Sequence, residues 1–461
     1  MDTRAGETLC DGHPVGSSAS SASTGADETS HALVGGGSDV HQHNFRILVG
    51  IDLGRWLHVA HALDASGKFL GERGFAHSGK DLSGTVDWLL NLAEQDVGRI
   101  AVAIEKPHGA VVETLIGQGI AVFAINPKQV DRFRDRYALS GAKDDRRDAF
   151  VLADTLRKDG HRFQRLHLPH PEIIALRELL RARDQLIKRH VALSSQIRDL
   201  LVGCWPHFLT LAPRNRALDS FFCELLELFF HLDRGASLEQ HSIQTLFKKH
   251  RIRRVTIEQT LDILHEPPLR VAPGTVAATS AHIRLLVQQS LLVRRQRRES
   301  DQYLETWFKK NQRDSERNPP TDAAILASLP GVGAFVLATL LSYAHDAIRL
   351  RNLVALRSLG GVAPVTKQSG KRRQVLMRRA RSQPLNYALH HWAHMAVLRD
   401  THSKTHYDRM RSKGHSHARA LRGVMDRILA VAVAMLRDST FYDASRRTSN
   451  DCADAGRKVS S

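Results

Sequence analysis

The chain has 461 residues, with 66 Lys and Arg against 48 Asp and Glu, a formal net charge of +18 and a pI near 10.1. This length predicts two or three domains, and this charge indicates a polyanionic partner, either nucleic acid or an anionic membrane surface. Apolar runs long enough to span a bilayer are absent, and the four scattered cysteines have no CxxC spacing, which argues against a zinc knuckle or a disulfide framework.

The first structured region is expected after residue 45. Residues 1–45 are rich in Ser, Gly, Ala and His and lack the basic start and apolar core of a signal peptide, so we predict a disordered extension. The apolar runs that follow predict three strands, a helix, and then alternating strands and helices. The predicted strands are 45–54, 56–62, 67–75, 99–105 and 121–125, and the predicted helices are 81–95, 110–118 and one beginning at Asn126. This order is typical of a ribonuclease H-like (RuvC-like) α/β fold, which we assign to 46–160.

Carboxylates stand at particular points of this predicted domain. Asp52 interrupts the first apolar strand and Glu105 ends the fourth, where a carboxylate needs a partner or a metal. Asp145 and Asp148 lie three residues apart on a predicted helix and so share a face, although an acidic first turn favoured by the helix dipole explains them equally simply. Because the first and fourth strands are neighbours in a ribonuclease H-like sheet, the four carboxylates can converge on two divalent ions, as in phosphoryl-transfer sites. Asp144 competes with Asp145 for this role, and the spacing to Asp148 favours Asp145.

Two long helices are predicted in the middle of the chain, 171–202 and 277–310. Leucines recur every seven residues in the first, from Leu179 to Leu200, with His190 among the companion positions. The two helices are expected to pair as a hairpin, to associate between subunits, or to belong to a plain helical bundle.

We assign 161–320 to this coiled-coil region and 203–275 to an insertion of small helices. The insertion carries a basic run, 248–254, which either contacts nucleic acid or is a solvated charge run. A second cluster, 294–298, is expected to face away from the apolar side of its helix.

The last predicted domain, 321–445, is mostly helical and strongly basic. Residues 325–341 match a helix-hairpin-helix, in which Gly331 and Gly333 expose backbone N–H groups to a phosphate or serve only in packing. No acidic residue occurs between Asp346 and Asp400, and Ser369 is a lone hydroxyl within this basic stretch. Ser369 is either a phosphate hydrogen-bonding residue or a nucleophile that attacks a phosphodiester. The tail 446–461 is predicted to be disordered.

Together these motifs resemble the DEDD transposases of the insertion-sequence one-ten family. The matching residues include Gly50-Ile-Asp52-Leu-Gly54, Ile104-Glu105, Lys143-Asp-Asp145-Arg-Arg-Asp148, Leu329-Pro-Gly-Val-Gly333, Leu359-Gly-Gly-Val-Ala-Pro364 and Gln368-Ser369-Gly370. They extend over almost everything from residue 46 to 443. The chain departs from many members in the basic segment after Ser369, in its Ser-rich start and in the length of 203–275.

The resemblance implies a DNA recombinase of bacterial type, cytoplasmic and nucleoid-associated. It implies Mg²⁺ held by Asp52, Glu105, Asp145 and Asp148, and Ser369 as the nucleophile that joins a DNA end. It also implies double-stranded DNA and a non-coding bridge RNA as partners, and a homo-oligomer, dimer or tetramer, without a membrane. The expected nucleic-acid contacts are Gly331, Gly333, Lys367, Gly370, Lys371, Arg372, Arg373, Arg378 and Arg379.

Three other functions are weighed against this one. A RuvC-like nuclease or junction resolvase would hydrolyse DNA with metal-activated water alone. An architectural nucleic-acid-binding protein would use the carboxylates only structurally. The Asp-Leu-Gly at Asp52 also opens actin-like and sugar-kinase ATPases, but the further phosphate-binding and adenosine-binding loops of those enzymes are not recognisable here.

Overall fold

The computed structural model describes residues 45–126, 129–130, 133, 144–214, 217–231, 240–272, 274–313, 319–370 and 372–445. The chain divides into two compact units, Met1–Leu168 and Pro169–Ser461. The first is a mixed α/β unit and the second is mostly helical, as the sequence predicts.

A five-stranded sheet forms the centre of the first unit. Its strands are β1 (Ile47–Leu53), β2 (Leu57–Asp64), β3 (Phe69–Ala76), β4 (Ile100–Ile104) and β5 (Ala121–Ala124), in the order β3-β2-β1-β4-β5. β1, β2 and β3 are antiparallel neighbours, while β4 runs parallel to both β1 and β5. The structure confirms the five predicted strands and the position of the first beside the fourth.

Helices cover both faces of this sheet. They are α1 (Gly79–Leu92), α2 (Ala110–Gly117) and α3 (Asp145–Asp159). Ile47, Val49 and Ile51 of β1 point to the face that packs with α1 and α2, whereas Leu48 points to the face that packs with α3. Because both faces are covered, β1 and β4 are continuous apolar runs rather than alternating ones. The helix predicted to begin at Asn126 lies mostly outside the described residues.

The second unit begins with two long helices that pair with each other. They are α4 (Pro171–Cys204) and α8 (Thr275–Arg313), with α5 (Ser220–His231), α6 (Gln240–His250) and α7 (Ile257–His265) between them. Trp307 donates from Nε1 to Glu172 at 3.0 Å, and His190 Nδ1 lies 3.1 Å from Ser290 Oγ. Contact partners therefore descend along α8 as they ascend along α4, so the pair is an antiparallel hairpin within one chain. A coiled-coil geometry for the pair remains a prediction.

Further helices and one β-hairpin complete the described part of the second unit. The helices are α9 (Asp322–Ala327), α10 (Ala334–Tyr343), α11 (His345–Arg349), α12 (Leu353–Leu359), α13 (Gln383–Arg399), α14 (Thr401–Ser412) and α15 (His417–Asp438). Trp392 is fully buried among them and donates from Nε1 to the Pro330 carbonyl at 3.1 Å. The hairpin consists of β6 (Val365–Ser369) and β7 (Arg372–Leu376) and was not predicted from the sequence. Over the described ranges, no helix is both long and apolar enough to cross a membrane.

Candidate active site and nucleic-acid interface

Asp52 and Glu105 lie side by side at the end of the first sheet where β1 and β4 finish. The parallel register of β1 and β4 places Gly50 beside Ala103 and Ile51 beside Ile104. Continuing that register by one residue pairs Asp52 with Glu105, the residue directly after β4. Since side chains alternate along a strand, both residues belong to the α3 face together with Leu48 and Ala103. Both are half-buried, so they meet at the rim of the sheet rather than in its core.

Helix α3 brings Asp148 to the same face of the sheet. It crosses β1 at Gly50, where a Cβ would stand 1.9 Å from the Ala149 carbonyl oxygen and 2.5 Å from the Ala153 nitrogen. Only a glycine permits this approach. Asp148 directly precedes Ala149 and is 1% exposed, so its carboxylate is buried where the first turn of α3 meets the sheet.

The two acidic residues before Asp148 have different environments. Asp144 is the N-cap of α3, and its side chain accepts a hydrogen bond from the Arg146 backbone N–H at 3.4 Å. Asp145 is the first residue of the helix and is exposed. Asp145 and Asp148 therefore stand one turn apart, as predicted, but only Asp148 is buried. The capping contact of Asp144 gives that residue a structural role.

The carboxylates match the ligand chemistry of a hard divalent ion. Mg²⁺ prefers oxygen ligands and is usually held by one or two carboxylates, with water and phosphate oxygens completing the shell. Within the described residues, no group of three or more His, Cys, Asp or Glu side chains is arranged to hold a metal by itself. Asp52, Glu105 and Asp148 therefore have the ligand chemistry of such an ion without forming a complete metal site among the described residues.

A lysine and two histidines near this edge were not singled out from the sequence. Lys106 Nζ lies 3.5 Å from the Leu53 carbonyl oxygen, and His58, which is opposite Leu53 on β2, lies 2.8 Å from His77 between ring nitrogens Nε2 and Nδ1. Burial lowers the pKa of His58, and the neighbouring His77 and Lys106 lower it further. In the register of β1 and β2, His58 pairs with Leu53, the residue after Asp52.

Ser369 lies at the tip of the β6–β7 hairpin. In cross-strand register it is opposite Arg372, and Gly370 between them has a φ of +55°. A positive φ at the first residue of a tight turn favours glycine, which explains Gly370 locally. Arg372 and Arg373 are exposed on β7, and Arg379 beyond it is also exposed, while Arg378 is half-buried. Lys371 lies outside the described residues, so the predicted contacts at Lys367, Ser369 and Lys371 rest on backbone position and sequence.

The alternation of β7 assigns Arg372 and Arg373 to opposite faces of the hairpin. With the Gln374 amide oxygen turned towards Arg372, the guanidinium donates to it from Nε at 3.1 Å and from Nη2 at 2.8 Å. Gln374 pairs with Lys367 in register, so Arg372 and Gln374 share the face of Ser369 and Lys367. Arg373 is on the face of Gln368. One arginine is therefore held on the serine's face and its neighbour is on the other.

The two glycines of the predicted helix-hairpin-helix have different roles. Gly331 has a φ of +82°, and a Cβ there would stand 2.7 Å from the Ala396 nitrogen and 2.9 Å from the Met395 carbonyl carbon. Its lack of a side chain is thus required by packing against α13. Gly333 is the exposed N-cap of α10, with no side-chain cap. Of the two, Gly333 presents the accessible helix N-terminus.

Part of the basic charge of the helical unit is neutralised internally. Lys249 and His250 reach Glu224 at 2.7 and 3.0 Å, and Arg254 reaches Asp219 at 2.6 Å. Arg294 donates to the Leu218 carbonyl at 2.7 Å and also to Ser220. The expectation that the whole cluster 294–298 faces away from the interior is wrong for Arg294, because this buried carbonyl attracts its guanidinium.

Two family models match the chain. The first, described as a transposase (DEDD_Tnp_IS110), matches residues 49–206, and the second, described as a transposase of the IS116/IS110/IS902 family, matches residues 323–408. The first match contains Asp52, Glu105, Asp145 and Asp148, and the second contains the β6–β7 hairpin. The two together therefore include every candidate catalytic residue.

Curated relatives resemble the chain over much of its length. The mini-circle putative transposase for IS117 of Streptomyces coelicolor is 26% identical over 88% of this chain and 97% of that protein. The insertion element IS110 uncharacterized 43.6 kDa protein of the same organism is 29% identical over 86% of this chain and 96% of that protein. The putative transposase y4uE of Sinorhizobium fredii is 40% identical, but the match spans 44% of this chain and 57% of that protein.

Proposed function

Since the chain belongs to the IS110 family of DEDD insertion-sequence transposases, we propose that its carboxylates and Ser369 act together on DNA phosphodiesters. In this proposal the first unit is a ribonuclease H-like domain that holds Mg²⁺, and Ser369 is the nucleophile. The strand order β3-β2-β1-β4-β5, with β4 parallel to β1, supports the ribonuclease H-like assignment.

The observation that carries the proposal is the shared position of three acidic residues. Asp52 and Glu105 occupy matching positions on parallel strands, and Asp148 is buried on the same face, next to the contact between Gly50 and Ala149. These residues are far apart in the sequence. Carboxylates that share one face of a sheet repel one another as they approach, and a divalent cation offsets that repulsion. Asp145, exposed one turn before Asp148, is proposed as the fourth ligand.

When bound at these carboxylates, Mg²⁺ stabilises negative charge on the phosphate oxygens and favours loss of the proton from an attacking hydroxyl. Asp52, Glu105, Asp145 and Asp148 would hold it. Their own task would be to hold the ion on the α3 face of the sheet. Lys106, whose amine lies at the same edge near the Leu53 carbonyl, adds a positive charge for the backbone of the DNA strand.

In the serine step, one phosphate ester bond of the DNA backbone is exchanged for an ester bond to the serine. The Ser369 oxygen forms a bond to phosphorus, one P–O bond of the DNA backbone breaks, and the released DNA hydroxyl takes up a proton while the serine loses one. Attack by a hydroxyl of another DNA end reverses the step, regenerates Ser369 and completes strand exchange. Arg372, which is exposed on the hairpin face of Ser369, supplies the positive charge that such a phosphate needs, and Arg373 on the other face adds to DNA binding.

The resemblance extends the proposal to partners. A non-coding bridge RNA would choose the target and donor DNA by base pairing, and subunits would assemble so that a carboxylate unit of one works with the serine hairpin of another. The net charge of +18 supports binding of more than one nucleic-acid strand. Gly333 at the start of α10 is proposed as one sequence-independent phosphate contact.

The test removes charge from each carboxylate while keeping its size. Asp52→Asn, Glu105→Gln and Asp148→Asn are each expected to abolish Mg²⁺-dependent strand transfer while DNA binding stays within about threefold of wild type, because phosphate contacts dominate affinity. Glu113→Gln, which removes an exposed carboxylate in the first turn of α2, is the matched control and should be fully active. Mn²⁺ binding followed by electron paramagnetic resonance gives a second measurement that does not require turnover. Full activity in all three variants would refute the proposal.

The second candidate is a RuvC-like nuclease or resolvase that uses water as its nucleophile. The same carboxylate positions support it. It differs in one product, because hydrolysis leaves free DNA ends and no protein–DNA adduct at Ser369. The IS110-family match over the hairpin region, 323–408, favours the transposase.

A further inference from the structure

An exposed tryptophan lies at the same end of the sheet as Asp52 and Glu105. Trp56 is 70% exposed in the turn between β1 and β2, and Leu57 after it is 58% exposed. The other tryptophans, all within the described residues, are buried or half-buried: Trp88, Trp205, Trp307 and Trp392. A tryptophan normally buries a large apolar area, so one left this accessible beside a candidate site indicates a partner.

The backbone of this turn is fixed while its ring is free to make contacts. The Trp56 carbonyl accepts a hydrogen bond from the His77 N–H at 2.9 Å, which joins the turn to the end of β3. The Arg55 guanidinium lies over the Trp56 ring, with Cζ 5.2 Å from the ring centroid. One face of the indole therefore carries a cation, and the ring projects from an anchored backbone. This arrangement presents a flat apolar surface next to a positive charge.

The strand directions place this surface at the same end of the sheet as the carboxylates. β1 ends at Leu53 and β2 starts at Leu57, so the turn lies at the end of the sheet where β1 finishes. β4 runs parallel to β1 and finishes at the same end, directly before Glu105. Lys106 reaches the Leu53 carbonyl there. This end of the sheet thus combines carboxylates, the two cations Arg55 and Lys106, and one exposed aromatic ring.

We infer that Trp56 stacks on an unpaired nucleobase of the DNA strand that is presented to Asp52 and Glu105. An unpaired base is the partner that offers a flat π-surface together with a phosphate for Arg55 and Lys106. A base within a duplex is already stacked on both sides and cannot cover the ring. The inference rests on the proposed function, because the stacked strand is the one whose phosphate meets the carboxylates.

Phe69 provides a matched control within the same sheet. It is 55% exposed at the start of β3 and pairs with Leu63 near the end of β2. Trp56 directly precedes the first residue of β2, so the two exposed aromatic residues lie at opposite ends of this strand. Stacking near the carboxylates should depend on Trp56 and not on Phe69.

The experiment uses the full chain as wild type, Trp56→Ala, Trp56→Phe and Phe69→Ala, with circular dichroism to verify folding. The probes are the single strands dT12 and U12 and a 12-base-pair dA–dT duplex. Acrylamide quenching of tryptophan emission reports the accessibility of Trp56. We expect dT12 to shield the quenchable emission in wild type and Phe69→Ala, and the duplex to leave it accessible.

The affinity measurement uses the same probes and variants. Stacking is worth about 1–3 kcal/mol per base, so Trp56→Ala should bind dT12 roughly 5- to 150-fold more weakly, with Trp56→Phe retaining most of the affinity. Unchanged quenching on dT12 binding, wild-type affinity in Trp56→Ala, or shielding by U12 but not by dT12 would each overturn the inference. If dT12 does not shield the emission of the wild-type protein although that protein cleaves DNA normally, only the stacking role is contradicted. Shielding by dT12 without any cleavage contradicts the proposed function instead.

Discussion

Gly50 of β1 approaches the Ala149 carbonyl of α3 so closely that a Cβ on Gly50 would stand 1.9 Å from that oxygen. This contact determines where the first turn of α3, with Asp148, meets the sheet. Gly50→Ala forces α3 away from β1, and we expect it to lower the free energy of unfolding by about 1–3 kcal/mol. Strand transfer should fall in parallel, since Asp148 moves with the helix. Urea denaturation and a strand-transfer assay measure the two effects.

The control for Gly50→Ala is Gly74→Ala in β3 of the same sheet. A Cβ at Gly74 has nothing within 4 Å. This substitution should change stability by no more than about 0.5 kcal/mol. If the two variants were equally stable and equally active, the close approach at Gly50 would not be what positions α3.

The sequence predicted this sheet well because its central strands are buried on both faces. Continuous apolar runs such as Ile47–Leu53 are interrupted by a carboxylate only where the strand reaches its rim, and that interruption is visible in the sequence at Asp52. The difference in burial between Asp145 and Asp148 was not predictable. It depends on the angle at which α3 crosses Gly50, which is a tertiary contact.

The β6–β7 hairpin was missed for the opposite reason. Its second strand, Arg372–Leu376, is exposed throughout, so no alternation of buried and exposed residues marks it as a strand. In α4, burial extends beyond the repeating leucines. The companion residue His190 is 3% exposed, while Leu186 is only partly buried. A polar side chain occupies that position because Ser290 and the Leu218 carbonyl hydrogen-bond to it.

Asp144 and Asp145 are adjacent and are expected to give opposite results. Asp144 caps α3 through the Arg146 N–H, so Asp144→Ala should cost about 0.5–2 kcal/mol of stability and leave strand transfer near the wild-type rate. Asp145→Ala should leave stability unchanged and abolish strand transfer, because an exposed first-turn carboxylate adds little to folding. Thermal unfolding and strand-transfer rates, measured on both variants, distinguish the roles. The reverse pattern would assign the metal role to Asp144.

Arg372 and Arg373 test the face of the hairpin that acts on DNA. Arg372 shares the face of Ser369 in register, whereas Arg373 is on the opposite face. Arg372→Ala should reduce the rate of strand transfer at saturating DNA by about 10²-fold or more, as loss of a charge-stabilising donor does. Arg373→Ala removes the same charge and should mainly weaken DNA binding. Equal loss of rate in both variants would mean that the arginines contribute only general positive charge.

His190 makes the stability of the helical unit depend on pH. Burial lowers its pKa below the ordinary value of 6.5, and the nearby Arg294 and Arg297 also lower it, although the Leu218 carbonyl acts in the opposite direction. The unfolded chain then binds a proton more readily than the folded chain. The contribution of His190 to the free energy of unfolding is therefore fully present above pH 6.5 and is lost as the pH falls below that value. Hydrogen exchange of α4 should accelerate between pH 7 and 5, after correction for intrinsic rates. His190→Gln should reduce this pH dependence, and an unchanged dependence would show that other groups cause it.

The most direct test of the account is the search for a covalent bond between Ser369 and DNA. Wild-type protein, the Ser369→Ala variant and the Ser358→Ala variant, which removes another serine of the same unit, are incubated with element-end DNA, the non-coding RNA of the element and Mg²⁺, quenched in denaturant and digested for mass spectrometry. We predict a nucleotide adduct on the peptide containing Ser369 in wild type and in Ser358→Ala, and neither adduct nor strand transfer in Ser369→Ala. Normal strand transfer by Ser369→Ala, or cleaved DNA without any adduct at Ser369, would contradict the account.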